Sequence, residues 1–113
     1  MALTIQKIKE ILNAEILHGN GMLTKKVTTA FGSDLMSDVL AFVKEGTLLL
    51  TGLTNHQVIR TAELLDVSAV VFVRGKLPGQ DIIDMAIKHS IVLLATEDTL
   101  FTACGKLYEA GLR

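Results

Sequence analysis

Four short stretches of this 113-residue chain carry side chains suited to small-anion chemistry: Ser33-Asp34, Thr51-Gly52-Leu53-Thr54-Asn55, Arg74-Gly75 and Thr96-Glu97-Asp98. The last three each close an apolar run, so the groups gather at one edge if those runs are neighbouring parallel strands. Helix amino-termini point their free amides at that edge, which favours phosphate or carboxylate. The functional reading is a ligand pocket made by Ser33, Asp34, Gly52, Thr54, Asn55, Arg74, Gly75 and Thr96, with a small phosphorylated compound as ligand. A different class of reading makes the chain a small stand-alone enzyme acting on a phosphorylated metabolite through Asp34, Arg74 and Glu97. The plain structural alternative is that Ser33, Thr54 and Asp98 cap helices while glycines turn corners, which any fold of this kind requires.

Other reactive residue types carry less. Asp34 and Asp38 lie four apart on one helical face and could share a cation, although carboxylates near a helix start also stabilise the dipole. His18, His56 and His89 have no metal-ligand spacing, so no metal site is expected. The single cysteine, Cys104, falls on the apolar stripe of its helix and is expected in the core as a small hydrophobe. The chain has no Gly-x-x-x-x-Gly-Lys-Ser/Thr loop and no G-x-G-x-x-G opening a helix, and no catalytic residue or cofactor is assigned.

The elements that must position these residues are legible in the apolar pattern. Leu48-Leu49-Leu50-Thr51-Gly52, Ala69-Val70-Val71-Phe72-Val73-Arg74-Gly75 and Ile91-Val92-Leu93-Leu94-Ala95-Thr96 are short and continuously apolar. Such runs read as strands buried on both faces, as in a parallel sheet covered by helices. Ile5, Ile8, Ile11 and Leu12 share one face of an opening helix capped by Thr4. Glu15–His18 and Val27–Phe31 flank Gly19-Asn20-Gly21, which predicts an antiparallel hairpin near the amino terminus. Ser33 is expected to cap a helix burying Leu35, Met36, Val39, Leu40 and Val43. Thr54-Asn55-His56-Gln57 fits a capping box opening a helix with Val58, Ile59, Ala62 and Leu65 inside. Pro78-Gly79 turns into a helix burying Ile82, Ile83, Ala86 and Ile87. Thr99 opens a last helix bearing Leu100, Phe101, Cys104, Leu107 and Tyr108, ended by Gly111. The expected architecture is α/β: a three-layer sandwich with a mainly parallel central sheet and helices on both faces, in one domain spanning residues 1–113.

Composition narrows the class. Half the residues are apolar, which excludes disorder. Eleven basic against twelve acidic residues leave no field for nucleic acid or anionic membranes. No apolar run approaches the ~20 residues of a membrane span, and the one cysteine fits a reducing cytoplasm. The apolar surplus in so short a chain predicts a homodimer, with Met36, Leu40, Phe42 or Met85 as the contact surface.

The order helix, hairpin-like segment and three strand-helix units resembles the DRTGG domain family. The likeness rests on Phe31-Gly32-Ser33-Asp34-Leu35-Met36-Ser37-Asp38-Val39, Glu45-Gly46-Thr47-Leu48-Leu49-Leu50-Thr51-Gly52 and Val92-Leu93-Leu94-Ala95-Thr96-Glu97-Asp98-Thr99. Similar units sit beside nucleotide-binding CBS modules in some pyrophosphatases, at the front of some phosphotransacetylases and, distantly, in the amino-terminal half of HPr kinase. The resemblance implies a non-catalytic regulatory or assembly module that binds an adenine nucleotide or a protein partner. The chain departs from the family where the name arises: Leu53-Thr54-Asn55 replaces the Asp-Arg pair, and Val73-Arg74-Gly75 replaces Thr-Gly-Gly. Gly75 is kept, and Arg74 supplies a positive charge at the same strand end.

Overall fold

A computed structural model describes residues 2–113. Strands β5 (Thr47–Thr51), β6 (Ala69–Phe72) and β7 (Val92–Ala95) are buried along their whole length, as their unbroken apolar runs require. With β4 (Thr29–Gly32) they form a parallel array, and β2 (Glu15–His18) closes the sheet antiparallel to β7, giving the order β2-β7-β6-β5-β4. Register is fixed by pairs such as Leu50↔Val71 and Val71↔Leu94.

Strands β4 to β7 lie side by side in chain order. Right-handed crossovers then put α2 (Met36–Phe42), α3 (His56–Leu64) and α4 (Gln80–Lys88) on a single face. Met36, Val39, Val58, Ile59, Ala62, Ile82 and Ala86 from these helices pack against Leu49, Val70, Phe72 and Leu93. The alternate strand residues Leu48, Leu50, Val71 and Leu94 point the other way, onto Ile5, Ile8 and Leu12 of α1 (Ile5–Leu12) and Ala103 and Leu107 of α5 (Leu100–Glu109). The result is the expected three-layer sandwich. Each fully buried large aliphatic side chain contributes about 1.5–3 kcal/mol.

The amino-terminal hairpin is not formed. Asn20–Met22 make a 3-10 turn, β2 crosses to pair with β7, and the short strand β3 (Lys26–Val27) pairs antiparallel with β1 (Leu3–Thr4). Hairpin signals describe a turn but not a partner, and the buried edge of β7 outcompetes the local one. Several stripe assignments also shift. Leu35, Leu40, Ile87, Phe101 and Tyr108 are exposed, and Met36, expected at a contact surface, is core. Thr4 caps α1 as expected, its hydroxyl accepting from the Lys7 amide at 3.1 Å.

Candidate ligand site at the carboxyl edge

Because β4 to β7 are parallel, Ser33, Thr51, Arg74 and Thr96 emerge on one edge. Asp34 organises its β4 side. One carboxylate oxygen accepts from the Gly52 amide at 2.7 Å and the Thr51 hydroxyl at 3.0 Å. The other lies 3.7 Å from the Arg74 guanidinium. Arg74 therefore reaches from the end of β6 across β5 to the second residue after β4. Its side chain lies on Gly52 so closely that a Cβ there would overlap the guanidinium. Both charges stay half exposed, so the pair itself adds little stability.

Arg74 has φ +61°, a left-handed conformation. Asn13, Asp66 and Ser90 share that region, but each terminates a helix, where it is ordinary. Arg74 terminates none. Its amide donates to the Asp98 carbonyl at 2.8 Å and that of Gly75 to Thr96 at 3.0 Å, which locks a turn glycine would take without strain. A left-handed non-glycine residue costs about 1–3 kcal/mol, so a charged side chain is kept here at the expense of stability.

The remaining predicted residues divide. Ser33 closes a local turn, its hydroxyl accepting from the Leu35 amide at 3.0 Å, and does not cap α2, which starts after Leu35. The Thr54–Gln57 capping box is absent. Asn55 occupies the N-cap without a side-chain bond, and its carbonyl instead accepts from Val58 at 3.2 Å. The α3 terminus starts one residue late for Thr54 to reach it, which leaves its first amides without a side-chain cap among the described residues. Thr96 is buried and its hydroxyl donates to the Leu12 carbonyl at 2.8 Å, so it builds the wall rather than facing out. Asp98 is not a cap either; Thr99 caps α5, and Asp98 pairs with Lys106 at 2.8 Å. Glu97 turns its carboxylate beside Gly75 and, among the described residues, makes no ion pair with Arg74. The three residues of the enzyme reading thus do not converge.

One pair at the edge was missed. His56 Nε2 lies 3.0 Å from an Asp81 carboxylate oxygen, tying the first turns of α3 and α4. Residues 25 apart in sequence with no shared motif give no advance signal. The depression beside Gly75, lined also by Glu15, Leu77 and Glu97, holds only about 180 Å³, below the ~300 Å³ at which small-molecule pockets begin. A far larger groove, about 920 Å³, runs along α5 beside Gly32, Phe101, Gly105 and Tyr108. Cys104 lines it half-buried instead of sitting in the core, and burial pushes its thiol pKa up. No three His, Cys, Asp or Glu side chains group as a metal site among the described residues. No helix of the described residues is long and apolar enough to cross a membrane.

A three-layer α/β module with a shallow polar edge is the class these features define. The DRTGG domain matches residues 7–110, and the chain belongs to that family. Among solved structures it is similar to the CBS and DRTGG domains of the regulatory region of Clostridium perfringens pyrophosphatase, complexed with its activator diadenosine tetraphosphate. The likeness has a TM-score of 0.74 at 22% identity and covers 92% of this chain but 45% of that one. The chain thus spans less than half of that protein's length. No curated protein matches it.

Proposed function

We propose that residues 1–113 form one DRTGG-like domain acting as a non-catalytic regulatory module. It works as a homodimer and takes a small phosphorylated ligand, first an adenine nucleotide, at the carboxyl edge. The observation that carries the ligand assignment is Arg74, held in a left-handed conformation with its guanidinium over Gly52 and, among the described residues, only a half-exposed Asp34 as ion-pair partner. A phosphate arriving there competes with Asp34 for the guanidinium and meets the uncapped first turn of α3. Family membership and the nucleotide-bound regulatory region of like fold support the same reading. The shallow edge supports regulation over catalysis, since the depression beside Gly75 is small and Asp34, Arg74 and Glu97 do not converge in it.

The test is a thermal-shift and calorimetric screen with AMP, ATP, diadenosine tetraphosphate and inorganic phosphate. A ligand at a hundred times its Kd should add roughly 2.7 kcal/mol. Arg74→Ala should weaken binding by about 1.5–3 kcal/mol with little loss of stability. Asp34→Asn, which removes the competing charge while keeping an acceptor for the Gly52 amide, should tighten it. If no phosphorylated compound raises Tm, or Arg74→Ala leaves the shift intact, the ligand assignment is wrong.

A further inference from the structure

Gly105 sits in the middle of α5, where glycine costs helix stability relative to alanine. Nothing among the described residues explains it: a Cβ at 105 would have no heavy atom within 4 Å. Gly32 differs, because a Cβ there would fall 2.7 Å from Cys104 Sγ, so its absence lets α5 lie close to β4. Phe101 precedes Gly105 by one turn and Tyr108 follows by three residues, so two rings flank a bare backbone slot. Phe101 is 88% exposed and Tyr108 60%. Across β4, on the other face of the sheet, Phe42 is 66% exposed and stacks on Phe31.

The strand between these patches is an unguarded edge. At the opposite edge β2 carries Glu15, His18 and a bulge, the usual protections against pairing. β4 reads Thr29-Ala30-Phe31-Gly32, without charge and with regular pairing. The Ser33 amide donates inward to the Leu50 carbonyl, so alternation along a parallel ladder turns the N–H and C=O of Gly32 and Ala30 outward.

We infer that a second copy of this chain covers this face, with β4 pairing antiparallel to its symmetry mate and α5 packing on the partner's α5. This rests on the homodimer reading above and names its surface. A second copy fits because rings and slot lie on one helix, so a two-fold axis seats each Phe101 or Tyr108 against the other Gly105. The spacing closes as well. α5 lies astride β4 and β5, so pairing the two β4 strands at ~4.8 Å sets the α5 axes about 10 Å apart, near the usual helix-packing distance. Phe42, Phe101 and Tyr108 offer roughly 300–500 Å² per copy, a large share of the ~800 Å² each partner contributes to a standard interface. Glu109 and Arg113 line the same groove with opposite charges, so no like-charge barrier opposes self-docking.

Sedimentation velocity on the full chain at about ten micromolar tests this. Wild type is expected at twice 12.2 kDa. Gly105→Glu should raise the dimer Kd at least a hundredfold while circular dichroism shows an intact fold, because a Cβ at 105 has no heavy atom within 4 Å and the rest of the side chain extends into the open groove. Ala30→Pro, which removes an outward N–H only, should do the same. A dimeric wild type whose two variants remain dimeric overturns this surface and leaves the homodimer reading standing. A monomeric wild type overturns both and leaves the face to a different protein.

Discussion

A single hydroxyl at Thr96 joins the sheet to the end of α1. The Leu12 carbonyl is one of the orphan acceptors every helix leaves at its carboxyl terminus, and Thr96 donates to it at 2.8 Å inside the protein. Thr96→Val keeps the shape but strands that carbonyl, so urea unfolding should show a loss of about 1–3 kcal/mol. A loss below about half a kcal/mol would mean water replaces the hydroxyl. The strained residue at the other side of the edge, Arg74, spends stability on placement rather than gaining it. Neither role is written in residue type: a threonine after a strand reads equally well as a ligand contact or a cap.

Among the elements, α3 and α5 make an informative contrast. Both have an N-cap residue of favoured type, but Thr99 accepts from the Thr102 amide at 3.3 Å while the Asn55 side chain makes no capping bond. Thr99→Ala should therefore cost about 1 kcal/mol in chemical denaturation, and Asn55→Ala only a few tenths. Equal losses would show that Asn55 caps α3 in solution and that its first amides are not available to an anion. The same contrast explains why capping motifs in the sequence placed the helices to within a turn and Thr4 correctly at α1, but misassigned caps to Ser33, Thr54 and Asp98. A Ser, Thr or Asp one or two residues early satisfies the pattern, yet only the backbone path decides which oxygen reaches which amide.

At the scale of the whole molecule, the sheet separates two apolar layers. Ile8 belongs to the α1–α5 side and Ile59 to the α2–α3–α4 side, and both are fully buried. Ile8→Val and Ile59→Val should each cost about 0.5–1.5 kcal/mol, and the double variant should equal their sum within about 0.5 kcal/mol. A larger coupling in a double-mutant cycle would show that the sheet transmits repacking from one layer to the other. The chain's apolar surplus is only partly used in these layers. Phe42, Phe101 and Tyr108 remain outside them about the β4 edge, while Leu64, Leu77 and Ile87 are exposed elsewhere on the surface.

Periodicity by itself determined three central strands, five helices in order and the gathering of Asp34, Gly52, Arg74 and Thr96 at a common edge. It could do so because burial on both faces leaves an uninterrupted apolar run, and parallel strands joined by helices have one handed solution. Pairing between distant segments was decided only in three dimensions. β2 joined β7 instead of making a hairpin, because strand partners are chosen by competition among edges that local sequence does not describe. His56 met Asp81, and Arg74 bent back over Gly52, through loop paths set by the packed helices. The amphipathic pattern put Phe101 and Tyr108 on an inward stripe, whereas the actual rotation of α5 against the sheet left both in solvent beside Gly105. A helix reveals in its sequence that it has an apolar face, but which part of that face the sheet covers depends on where the neighbouring strand ends.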